Sequence, residues 1–219
     1  LSLSTVNAAR ILQGQQNGGS GEKNLLAFER FDYTALAKTY DTNQQTPDSA
    51  GTMTAIATGV KTRAGVLWLD QRAGSGRCTT THGTELVSIL ELAALADMRT
   101  GIVTTTRITH ATPAALYAKA SDRDWESDRG LPPSAVGGGC RDIARQLMEH
   151  NVGKGINVIL GGGRLPVMRS DQSDPEYPNR KGLRLDGRDL IRQWRHRHPG
   201  GYYVWNQGQF DSVSTRPKR

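Results

Sequence analysis

An α/β fold with a largely parallel sheet is the architecture this sequence predicts, and three observations carry the prediction. Two short β-branched runs, Gly101-Ile102-Val103-Thr104-Thr105-Thr106 and Ile156-Asn157-Val158-Ile159-Leu160, read as buried strands. Apolar residues recur at helical spacing in the segments around them: Leu86, Ile89, Leu90 and Ala93 in one, Ile143, Ala144, Leu147 and Met148 in another. Helices and buried strands alternate along most of the length, which implies a sheet covered on both faces. In such sheets active sites gather at the carboxyl ends of strands.

Taken in order, Val6 to Gln15 reads as a short helix broken by the flexible run Asn17-Gly18-Gly19-Ser20-Gly21. Phe31 to Tyr40 has aromatic and β-branched residues near period two, which predicts a strand. Pro47 then ends an extended segment, and a small-residue helix runs from Ser49 to about Gly59. Val60 to Leu69 reads as extended, and Gly74-Ser75-Gly76 as a surface turn. Pro113 to Ala120 is a second alanine-rich helix, Gly130 to Gly139 a surface loop, Asp186 to Trp194 a helix and Tyr202 to Trp205 a final strand. With no internal repeat and no clear linker, residues 1–219 count as one domain.

Hydrophobic content of 36% with 22% charged residues places the chain among globular proteins rather than disordered ones. No run of about 18 apolar residues occurs, so no transmembrane helix is expected. Residue 1 is Leu and no signal-peptide pattern follows it, so the chain reads as a piece of something longer. The formal charge of +7 could favour nucleic acid or anionic substrates. Its distribution argues against nucleic acid: basic residues are spread out until Arg192, Arg195, His196, Arg197 and His198 and the tail Arg216-Pro217-Lys218-Arg219, a solvated helix face and a chain end. Cys78 and Cys140 lack any metal or redox spacing; two buried thiols and one long-loop disulfide both fit.

Three places could carry chemistry. Asp48 and Ser49 stand where a helix begins, and the first amides of a helix, with its dipole, attract anions. Ser49 would point its oxygen at a bound phosphate, although Asp and Ser are also ordinary helix caps. Thr106 to Pro113 leaves a strand and enters a helix, bringing His110 and Thr112 to the strand end, with Thr112 before Pro113 also readable as a cap. Arg123 lies between Asp122 and Asp124; a guanidinium can hold two phosphate oxygens at once or simply pair on the surface. Gly161-Gly162-Gly163-Arg164 lacks phosphate-loop spacing, the remaining histidines show no ligand pattern, and no G-x-S-x-G elbow occurs.

Together these segments resemble alkaline phosphatase. Thr39-Tyr40 through Pro47-Asp48-Ser49-Ala50-Gly51-Thr52 looks like that family's nucleophile motif and Gly59-Val60-Lys61 its continuation. Gly101 to Pro113, Ser121 to Asp128, Ile159 to Arg164, Asp174-Pro175-Glu176-Tyr177-Pro178 and Arg184-Leu185-Asp186-Gly187 are similar to animal members. The resemblance implies a three-layer α/β/α sandwich, here present only in part. It implies that Ser49 attacks phosphorus and is also a metal ligand, that Asp48 is the acid beside it, and that Arg123 clamps the phosphate. Thr112 would be a magnesium ligand, His110 a neighbour of that ion, and Glu176 one ligand of a calcium site.

Two zinc ions and one magnesium are the implied cofactors, with a phosphate monoester as substrate and a homodimer as the assembly. The family also implies a Cys78–Cys140 disulfide, hence a secretory route to the extracellular space or cell surface. These residues contain no N-x-[ST] sequon and no lipid-anchor signal. The family's opening Gly-Asp-Gly strand end and the later Asp, Glu and His zinc ligands are absent from them. The expectation is therefore a partial catalytic domain, inactive alone. A non-catalytic or truncated relative, or a basic anion or nucleic-acid binder, are the alternatives.

Overall fold

The computed structural model describes residues 2–213; the basic tail Arg216 to Arg219 lies outside the described residues. Contacts divide the chain into two units, Leu1–Lys38 and Thr39–Arg219. In the first, helix α1 (Leu3–Gln16) is capped by the Ser2 hydroxyl, which accepts from the Thr5 amide at 3.2 Å. The glycine run after it folds back on the helix rather than swinging free. Gly21, at φ +99°, comes so near Ile11 that an added Cβ would lie 2.6 Å from its carbonyl oxygen. Asn24 holds the return by donating to the Arg10 carbonyl at 3.1 Å.

The strand expected over Phe31 to Tyr40 does not form. Phe31, Tyr33 and Leu36 stand 70%, 94% and 81% exposed, with no neighbouring strand among the described residues. Strand propensity expresses fit to a pleated, half-buried surface, and without one it dictates nothing.

In the second unit, α2 (Ser49–Thr58) and α3 (Ile89–Leu95) precede strand β1 (Gly101–Arg107), followed by α4 (Ala111–Ala114), α5 (Pro133–Gly137) and α6 (Ile143–Glu149). Strand β2 (Val158–Gly162) comes next, then α7 (Leu190–Arg197) and α8 (Gln207–Asp211). β1 and β2 pair in parallel, Ile102 opposite Ile159 and Val103 opposite Leu160. Ile102 packs into a core with Ala50, Leu67, Ala114, Trp125 and Ile143. The α/β class is as expected, but the strands are not buried on both faces: Val103 is 74% exposed and Val158 47%. Among the described residues each strand has only the other for a neighbour, so surfaces a larger sheet would cover stay open.

Several boundaries move for local reasons. Leu86 precedes α3, whose cap is Ser88, and the buried face is Leu90, Glu91 and Ala94 rather than a stripe through Ile89. α4 starts before Pro113 and is one turn long; α5 occupies the expected 130–139 loop with Pro133 in its first turn. α7 begins at Leu190 after the Asp189 cap, because Asp186 is engaged elsewhere, and Tyr202 to Trp205 is not a strand. The basic residues of α7 are exposed, and Arg195, His196 and Arg197 fill its last turn, where cations offset the helix dipole. No described helix is long and apolar enough to cross a membrane.

Cys78 and Cys140 form a disulfide with Cα atoms 5.9 Å apart and 62 positions between them. It ties the turn at Cys78 to the end of α5 and closes a long loop, constraining chiefly the unfolded chain. Reduction is expected to lower stability by about 2–5 kcal/mol. Urea unfolding with and without a thiol reductant checks this, and coincident midpoints would contradict it.

Candidate active site

The geometry starts from a tight turn. The Asp41 amide donates to the Gln44 carbonyl at 3.1 Å, and the Thr42 amide to the Thr62 carbonyl at 2.9 Å. Pro47 then leads to Asp48, whose extended backbone (φ −100°, ψ 148°) caps α2. Its Oδ2 accepts from the Ala50 amide at 3.0 Å and from the Gly65 amide at 2.8 Å. The cap is therefore Asp48, and Ser49 is the first helical residue, half-buried. At the other end α2 stops on Gly59 at φ +76°, a left-handed position that favours glycine.

Gly65, at φ +78°, serves two partners. While its amide holds Asp48, its carbonyl accepts from the Arg123 amide at 2.8 Å. This loop thus brings together residues 75 positions apart, and the Arg123 guanidinium pairs with Asp48 Oδ1 through Nη1. Arg123 Nη2 lies 3.1 Å from His110 Nε2. His110, not Thr112, caps α4, and it does so without a side-chain bond. Thr112 sits inside that helix, exposed, and α4 packs against α2.

Electrostatics follow from these contacts. Burial pushes the Asp48 carboxyl up, but the Gly65 amide and the Arg123 guanidinium more than offset it and hold it below the ordinary range. Burial, then Arg123 and Arg107, push the His110 imidazole down, so the neutral ring is favoured. A neutral ring accepts the guanidinium proton at Nε2 and carries its own on Nδ1, a buried atom without a partner among the described residues. The cluster combines features that attract anions: a helix N-terminus that begins at Ser49 and a guanidinium fixed by Asp48 and His110.

The family model for alkaline phosphatase matches residues 1–219. The chain belongs to the alkaline phosphatase family. The tissue-nonspecific alkaline phosphatase of Rattus norvegicus is 49% identical over 213 residues, covering 94% of this chain and 40% of the relative. That of Gallus gallus is 49% identical over 221 residues, covering 98% and 42%. The alkaline phosphatase of Gadus morhua is 46% identical over 224 residues, all of this chain and 46% of its own. The chain thus spans about two fifths of the length of such relatives.

Among solved structures, the cold-active alkaline phosphatase of a Shewanella species matches 97% of this chain and 41% of its own at TM-score 0.67 and 24% identity, a likeness of fold. The alkaline phosphatase of Thermus thermophilus matches 89% and 32% at TM-score 0.55 and 26% identity. A variant of the Antarctic bacterium TAB5 alkaline phosphatase, TM-score 0.55, holds magnesium in its M3 site.

Of the residues singled out in the sequence, Asp48, Arg123 and His110 meet directly, Ser49 adjoins them along the chain, and Thr112 is the second residue of the neighbouring helix α4. Glu176 is held elsewhere: it is half exposed, its carboxylate meets Arg164 Nη2 at 3.3 Å, and its amide donates to Asp174. Among the described residues no three His, Cys, Asp or Glu side chains form a group able to hold a metal. Sequence reading missed Asp41 and Gly65, which no motif marks, and Glu126, which accepts from Arg107 at 2.6 and 2.9 Å and from Thr109 at 2.5 Å beside the His110 turn.

Proposed function

We propose that this chain is the nucleophile-bearing part of a longer alkaline phosphatase that hydrolyses phosphate monoesters through a phosphoserine at Ser49. The observation that carries the reading is the Asp48–Arg123–His110 chain of contacts at the start of α2. Ser49 Oγ would form a bond to phosphorus as the ester oxygen leaves, and water would then release phosphate and restore the hydroxyl. Arg123 would hold phosphate oxygens through its planar fork, oriented by Asp48 on one nitrogen and His110 on the other. The neutral imidazole orients the guanidinium without adding a competing cation.

A serine hydroxyl is a weak nucleophile at neutral pH and needs a base or a metal. Two zinc ions and a magnesium would supply that activation and neutralise developing charge. In this chain Ser49, Thr112 and His110 would stand near them and Glu176 near a calcium ion, while most of the ligands would come from other residues. The residues 1–219 alone are therefore expected to be inactive. The disulfide supports a secretory protein, extracellular or at the cell surface, and a homodimer is the proposed assembly.

Acid-quenching the longer protein during turnover of a labelled aryl phosphate, then mapping the labelled peptide, tests the reading. The label is expected on Ser49, and label elsewhere would refute it. Zinc-dependent turnover by the isolated 219-residue chain would overturn its predicted inactivity.

A further inference from the structure

We infer that Asp41 is a positioning residue for the Asp48–Ser49 turn and that its negative charge loosens the hold on phosphate; the inference rests on the phosphatase reading above. Asp41 is 4% exposed, and its Oδ2 accepts from the Asp48 amide at 2.7 Å. The first turn of α2 sits directly on the same carboxylate. A Cβ added at Gly51 would fall 2.3 Å from Asp41 Oδ1 and 3.2 Å from the Arg63 carbonyl oxygen, so only glycine permits the approach.

Asp41 is itself fixed. Its amide bonds Gln44, Thr42 bonds Thr62, and Asn43 Oδ1 accepts from the Ala64 amide at 2.9 Å. That anchors the turn to the loop whose Gly65 amide holds the Asp48 carboxylate. The residue before the nucleophile is thus gripped at its backbone by Asp41 and at its side chain by Gly65. Losing the first grip would leave the Asp48 amide unpaired and the entry into α2 free to shift.

Two carboxylates, Asp41 and Asp48, lie behind a site meant for an anion, with Arg123 paired to one and Lys61 acting on the other. Burial and the Asp48 charge push the Asp41 carboxyl up, opposed by its hydrogen bond from the Asp48 amide and by Lys61. At alkaline pH it is an anion. Its repulsion would act on bound phosphate dianion and so favour product departure.

Two substitutions in the longer protein separate position from charge. Asp41→Asn keeps an oxygen for the Asp48 amide and removes the charge. It is expected to lower the inhibition constant of inorganic phosphate roughly two- to fivefold, the range of one nearby charge in a wet site, while kcat stays within about tenfold. Asp41→Ala removes both and is expected to lower kcat by about 10- to 100-fold, as small misplacements at reacting centres do.

An unchanged or raised phosphate constant in Asp41→Asn overturns the charge claim, and a wild-type kcat in Asp41→Ala overturns the positioning claim. Should Asp41→Ala not fold, Asp41→Gln, which moves the acceptor by one methylene, takes its place with the same expected loss of kcat. If Ser49→Ala keeps aryl phosphate turnover within tenfold of wild type, the reading of Ser49 as nucleophile has failed. If that variant is inactive while the Asp41 variants behave as wild type, only this inference has failed.

Discussion

Replacing Ser49 with alanine in the longer protein is expected to lower aryl phosphate turnover by at least about 10³-fold, the scale on which covalent catalysis collapses when its nucleophile is removed. The fold should barely notice. The cap bonds of α2 are made by Asp48, not by Ser49, so the hydroxyl has little structural work, and alanine is a better helix former than serine. A melting temperature within a few degrees of wild type, together with collapsed turnover, would separate chemistry from stability. Residual turnover within tenfold of wild type would mean that another group attacks phosphorus. Asp48→Ala makes a poorer test, because it removes the cap, the Gly65 contact and the Arg123 partner at once.

The α/β class and the helix start at Asp48-Ser49 were legible because their signals are local. A β-branched run bounded by glycine makes β2, Ile143, Ala144 and Leu147 do form the buried face of α6, and Asp48-Ser49 does begin a helix. The failures share one cause, which is dependence on distant partners. Phe31 to Tyr40 has the pattern of a strand but no sheet to join, and Val103 has the composition of a buried residue but nothing covering it. The site divides the same way. Asp48, Arg123 and His110 carry distinctive chemistry and can be suspected from type alone. Asp41 looks like any turn aspartate until the fold brings Gly51 onto its carboxylate, and Gly65 matters only because its amide and carbonyl face residues 17 positions before it and 58 after.

Arg184→Met is expected to cost about 3–5 kcal/mol in urea unfolding, because it strips the cation from the buried Asp142 carboxylate and its partly exposed neighbours Asp186 and Asp128. Arg184 is completely buried. It makes a two-pronged contact with Asp142, at 2.9 and 3.0 Å, and a second with Asp186, at 3.1 and 2.6 Å, with Asp128 at 3.7 Å. Asp142 caps α6, so the cluster fastens the 184–186 segment to the start of that helix. Lysine should rescue only part of the loss, since a point charge cannot serve two carboxylates with paired bonds. A cost below about 1 kcal/mol would show that the carboxylates find water or other partners.

The same cluster fixes the sign of an acid effect. Burial pushes the Asp186 carboxyl up, but Arg184 and the Arg188 amide and charge pull it below its ordinary 3.8. A carboxyl depressed by folding contributes stability that is present above its unfolded value and lost as pH falls through the folded one. Wild-type stability should therefore decline below about pH 4, while Arg184→Met, whose Asp186 carboxylate no longer gains from being charged, declines less. The gap between the two should narrow on acidification; a gap that widens would place the acid-sensitive contacts elsewhere, with the Arg141, Arg145 and Arg188 contacts of Glu149 the next to examine.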